Sequence, residues 1–173
     1  MVGNNHPWCA AFVNWCLQEA GVDIENPTFA DHVASKGRAH GFFEVKGQRV
    51  GKGEGGIPVV RNPRFELLEQ PVFGAIAMVT SSSGHGHHVG FVYSRPSTNF
   101  VVLLGGNQDN RISFAKYNVA TGRGMTNHLM FFYPGGEQWA SVSSSPLGDQ
   151  SVDALNRAFG IDMSDVHRPG GTR

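Results

Sequence analysis

Residues 6–22 read HPWCAAFVNWCLQEAGV and hold both cysteines of the chain. Cys9 follows Pro7, a residue favoured at or near the first turn of a helix. At a helix start the macrodipole supplies about half a positive charge and backbone N–H groups lack intrahelical partners. Both effects stabilise a thiolate, and the same N–H groups can hold the oxyanion of a tetrahedral intermediate. Cys16, between Trp15 and Leu17, is expected to be a small buried hydrophobe. On one helix, at ~1.5 Å rise per residue, the two Cα atoms stand roughly 10 Å apart. A disulfide needs less than about 7 Å, so two unbridged thiols are expected.

A nucleophile needs a base. The segment GHGHHVGFV offers His85, His87 and His88. With period two, His88 shares a strand face with Gly90 and Val92, while His87 shares the other with Val89, Phe91 and Tyr93. Gly90 leaves room beside His88 for another side chain and a substrate. Further on, LLGGNQDN carries Asn107, whose amide oxygen can accept a hydrogen bond from an imidazole N–H. Cys9, His88 and Asn107 thus form a nucleophile, base and orienter set suited to acyl transfer. The competing reading is a zinc site in the histidine cluster. Adjacent strand histidines point to opposite faces, so at most two converge, and no acidic residue is close by. No metal and no organic cofactor are expected.

These residues require elements to position them. Trp8, Ala11, Phe12, Trp15, Cys16 and Ala20 recur at spacings of three and four, and Gly21 supplies a stop, which predicts an amphipathic helix over 8–20. Runs 74–79, 88–93 and 100–104 are apolar, β-branched or aromatic and are separated by turn clusters. They predict successive antiparallel strands. Residues 28–70 read as an insertion flanking the cleft, with a short helical segment at FADHVASKG and a strand or helical turn at VVRNPRFELLE. KGQRVGKGEGG has no Gly-Lys-Ser/Thr ending and reads as a surface loop rather than a phosphate loop. The part from 135 to 173 is linker-like, with one short helix in DQSVDALNRAFGI that presents Val152, Leu155 and Phe159 on one face. It either packs back on the domain or docks elsewhere.

With 173 residues, 40% of them hydrophobic, the chain has the size and composition of one domain. Fourteen basic and fourteen acidic residues cancel, which speaks against nucleic acid or an anionic membrane as the main partner. There is no apolar run of eighteen residues and no export signal at the N-terminus.

In order and spacing, WCAAFVNWCLQEAGV, GAIAMV, GHHVGFV and LLGGNQDNRIS resemble the CHAP and NlpC-type superfamily of papain-like cysteine amidases and peptidases. The likeness is strongest to the bacterial subgroup with W-C-A-A-F-V and G-G-N-Q motifs, and it covers residues 6 to about 134. It implies an α+β, papain-like fold, with the cysteine helix packed on a small antiparallel sheet. It also implies a catalytic domain over 1–134 and a C-terminal extension over 135–173. By the same resemblance Cys9 is the nucleophile, His88 the base and Asn107 the orienter. Two departures stand out. GAIA replaces the G-D-I-V of many relatives, and Gly105 stands where many carry a glutamate as the histidine's partner. Asn107 is then the better orienter, with Gln108 and Asp109 as alternatives.

The implied function is peptidoglycan hydrolysis at an amide bond through a thioester, as an N-acetylmuramoyl-L-alanine amidase or a stem-peptide endopeptidase. A lysin or a secreted antibacterial effector would act so, in the periplasm or wall of a target bacterium. Lacking an export signal, the domain would arrive by a secretion apparatus, by lysis, or within a larger protein. An effector of this kind implies a cognate immunity protein. The rivals are a cysteine acyltransferase or deamidase acting on a protein, and a cell-wall binding module without turnover.

Overall fold

In the computed structural model, residues 8–22, 49–52, 58–60, 65–81, 86–119, 127–136 and 139–164 are described. The expected first helix is present as α1, Cys9–Glu19, with Trp8 at its N-cap. Its end follows from Gly21, which adopts φ +74°. The Gly21 N–H then reaches the Gln18 carbonyl at 2.9 Å and the Val22 N–H reaches that of Leu17 at 2.9 Å. These two bonds make a Schellman stop, and Leu17 and Val22 both enter the core beside it. The buried stripe is Cys9, Phe12, Val13 and Leu17, at helical spacing. Trp15, expected on that stripe, is instead 58% exposed. Cys16, expected to be buried, is half-buried, whereas Cys9 is 2% exposed, and neither is in a disulfide.

The strands are β1 (Arg49–Lys52), β2 (Pro58–Val60), β3 (Phe65–Leu68), β4 (Ile76–Ser81), β5 (Gly86–Ser97), β6 (Phe100–Gln108), β7 (Arg111–Asn118) and β8 (Asn127–Pro134). β1 and β2 form a two-stranded ribbon, and the others form one antiparallel sheet in the order β3-β8-β4-β5-β6-β7. β5 and β6 contain the second and third expected runs, whereas β4 begins two residues into the first, after the turn at Gly74. The strand alternative for FELL holds in β3, whereas FADHVASKG lies outside the described residues.

The expected α+β, papain-like fold is not what the chain adopts. Among the described residues the structure is mostly β: a six-stranded antiparallel sheet and the β1-β2 ribbon, with two short helices and a single helical turn. The expectation failed on strand length and strand number. Short apolar runs marked the middles of β5 and β6, but hairpin pairing extends these strands to 12 and 9 residues, through polar positions that ladder bonds stabilise. RISFAKYN, which carries no apolar run, adds β7, and NHLMFFYP, whose run LMFFY lies outside the three expected ones, adds β8.

Each face of this sheet has its own core. α1 packs on Ile76, Met78, Val89 and Phe132, with Phe91 and Leu104 beside them. The opposite face carries Ala77, Val79, Val92, Val101, Leu103, Phe131 and Tyr133, with Trp139 and Val142 against it. Val142 belongs to the helical turn α2, Ala140–Ser143. The C-terminal helix α3, Val152–Ala158, starts at Ser151, whose side chain accepts the Ala154 N–H at 3.3 Å. It packs back on the domain, with Leu155 against Val102 and Phe114. The buried Asn156 amide treats β7 as a neighbouring strand would, accepting from the Phe114 N–H at 3.0 Å and donating to the Phe114 carbonyl at 3.2 Å. Those two groups lie on the open edge of β7. Asn156→Ala should therefore lower folding stability by about 2 kcal/mol or more, the cost of leaving two buried backbone groups unpaired. Urea denaturation measures this, and an unchanged midpoint would show that water replaces the amide.

Candidate active site

His88 enters the sheet at the second full position of β5, paired with Val79. That register puts it on the face of Val79 and Val92, as the sequence predicts, and away from the face of Val89 and Phe91 that meets α1. The imidazole is 2% exposed. It lies over Gly105, where an added Cβ would come within 2.7 Å of its Nε2. An alanine there would force the ring aside, because real Cβ atoms do not approach so closely.

The end of β6 is shaped from both sides. An added Cβ on Gly106 would meet Phe12 at 2.5 Å and Trp8 at 2.6 Å, so the glycine lets the first turn of α1 settle against the strand. The Trp8 indole N–H also donates to the Asn110 Oδ1 at 3.3 Å. Asp109 and Asn110 have φ of 52° and 59° and form a two-residue turn between the Gln108–Arg111 pair. Positive φ at both centres is the primed geometry that matches strand twist, and Asp and Asn tolerate it. The outcome is that His88 and the start of α1 approach neighbouring residues of β6, Gly105 and Gly106, from opposite faces. Burial pushes the Tyr117 phenol pKa up, with smaller contributions from the charges of Cys9 and Asp109, and the Tyr117 ring is stacked on His88 at 5.6 Å between centroids and 10° between planes.

Asn107 is not placed as the expected orienter. It sits half-buried at φ 60° in the irregular end of β6, and no hydrogen bond joins it to His88. Gln108, named above as an alternative, is buried nearby. A Gly105 Cβ would stand 3.1 Å from its amide carbon and nitrogen and 2.7 Å from His88 Nε2, so the two side chains border one small volume. The Gln108 amide donates to the carbonyls of Leu103 at 3.4 Å and Gly105 at 3.2 Å, and to that of Ser113. Its Oε1 accepts from the Tyr117 hydroxyl at 3.1 Å. Tyr117 went unnoticed in the sequence, although the alternation Ser113, Ala115, Tyr117 places it on the face of Gly105 once that pairing is known. Of the histidine cluster proposed for zinc, His85 and the side chain of His87 lie outside the described residues.

His88 Nε2 is buried and has no hydrogen-bond partner. Such an atom costs roughly 1–3 kcal/mol and is common where a group must be kept ready for chemistry. Burial lowers the His88 pKa from 6.5 to about 4, which keeps the imidazole neutral and able to accept a proton at neutral pH. The same shift affects folding. Between pH 6.5 and 4 the unfolded chain binds this proton and the folded chain does not. The stabilising contribution is therefore complete above about 6.5 and falls by about 3 kcal/mol as pH drops to 4. Urea midpoints at pH 7 and 4 should show the loss, and His88→Asn should remove that part of it. An identical pH dependence in the variant would show that His88 is not the group responsible.

No family model, curated protein or solved structure matches the chain.

Proposed function

We propose that this chain is a cysteine amidase or peptidase that cleaves an amide bond of bacterial peptidoglycan. The observation that carries the reading is the buried, neutral His88, whose Nε2 has no partner and whose ring is stacked on Tyr117. A nucleophile-and-base pair has a use for an imidazole nitrogen left unbonded in a buried site, whereas a cell-wall binding module gains nothing from it. The choice of peptidoglycan rests on the resemblance of the WCAAFV, HVGFV and GGNQ motifs.

In the proposed reaction Cys9 and His88 meet around the end of β6, where Gly105 and Gly106 place no side chain between them; the Cys9 thiol gives its proton to His88 Nε2 and the sulfur attacks the amide carbon. The tetrahedral intermediate collapses to a thioester as His88 passes that proton to the departing amine nitrogen. Water, deprotonated by His88, then attacks the thioester, and the protonated imidazole returns the proton to the Cys9 sulfur. Trp8 makes no side-chain cap at the start of α1, so the N–H groups of the first turn point at the end of the helix where an oxyanion would form.

Digestion of purified peptidoglycan followed by mass analysis of the released fragments tests the proposal. Fragments cut at one amide bond support it, and they separate the muramoyl–alanine bond from bonds within the stem. Intact peptidoglycan alongside modification of a protein side chain would replace it with the acyltransferase or deamidase reading. Tight binding without cleavage would replace it with a binding module.

A further inference from the structure

Resting on the cysteine-hydrolase reading, the geometry points to Tyr117, rather than Asn107, as the positioning residue that holds the His88 imidazole. Two rings 5.6 Å apart and tilted by only 10° leave the imidazole little freedom to rotate on that side. Tyr117 is itself held. Its hydroxyl donates to Gln108 Oε1 at 3.1 Å, and Gln108 cannot turn its amide over, because its nitrogen already serves three backbone carbonyls. The Tyr117 proton is thus committed to Gln108, and what His88 receives from the residue is the ring face. Below the imidazole, Gly105 supplies a floor without a Cβ. His88 is then fixed by a ring on one side and a glycine on another, with Nε2 buried and without a hydrogen-bond partner.

The titratable groups acting on Tyr117 are Cys9 at the start of α1 and Asp109 in the β6–β7 turn; with burial, both raise its pKa and keep the phenol protonated as the donor. His88 on β5 faces its ring.

The test follows His88 by NMR in the histidine-labelled full chain, with its resonance assigned by loss in His88→Asn, alongside kcat and KM on peptidoglycan. Tyr117→Phe keeps the ring and should leave the His88 midpoint near 4. Tyr117→Leu removes the ring plane and admits water, so the midpoint should climb toward 6.5. kcat should fall by roughly 10²-fold with KM little changed, as expected of a reacting group displaced by about 1 Å. An unmoved midpoint in a folded Tyr117→Leu variant would overturn the inference. Asn107→Ala, at a half-exposed position, decides independently if the Leu variant does not fold: an unchanged midpoint supports Tyr117, and a shifted one restores Asn107 as the orienter. Because the NMR readout needs no turnover, a chain that hydrolyses nothing would defeat the proposed function while this measurement still judges Tyr117.

Discussion

Cys9→Ala is expected to abolish fragment release from peptidoglycan, with turnover reduced by at least about 10⁴-fold, since loss of the nucleophile removes the covalent route altogether. Forced export to the periplasm should lyse cells with the native chain and spare them with the variant. The fold should survive, even though Cys9 is part of the core cluster with Phe12, Val13 and Met78. Truncation to Ala removes one buried sulfur at a cost of about 1 kcal/mol, comparable with other small core truncations. Thermal melts followed by circular dichroism check this. Undiminished lysis by a folded Cys9→Ala chain would refute the proposed chemistry.

His88→Ala should lower kcat/KM by roughly 10² to 10⁴-fold, the usual contribution of a general base. The native pH–rate profile carries a second signature. With the His88 pKa held near 4, the base remains unprotonated well below neutral pH, so activity should persist through pH 5 and fall about tenfold per unit below 4. An acid limb centred near 6.5 would mean that the imidazole is solvated during turnover. Replacing His85 or His87 should leave the rate within a few-fold. Equal losses at all three positions, reversed by added zinc, would favour the metal reading instead.

Local chemistry made part of this legible in advance. The α1 boundaries followed from helical spacing and Gly21, because a left-handed C′ residue is a local requirement that the sequence states directly. The Arg-Pro-Ser-Thr-Asn cluster placed the β5–β6 turn for similar reasons, although its first three residues belong to β5. His88 was assigned to the correct strand face by period-two alternation alone.

What sequence could not supply was everything that depends on which strand lies beside which. The fold class departs from expectation because β3 and β8 join the sheet through pairing partners distant in the chain, as in Phe65 with Pro134, while β7 joins as the second arm of a hairpin with β6. Trp15 was assigned to the core because helical period identifies a stripe but not how wide a stripe the sheet covers. The orienter was sought beside the glycines at Asn107, since chain proximity is all that a linear reading offers. The stacking of Tyr117 on His88 joins β7 to β5 across β6, and the lock on Gln108 needs carbonyls from both β6 and β7. From residue types and spacing alone, the sequence determined α1 with Cys9 at its start, the strand runs, and a histidine on a defined face. The burial that holds His88 neutral, the close seat of the imidazole on Gly105 and the ring beside it are set by non-local packing, and only the tertiary structure decided them.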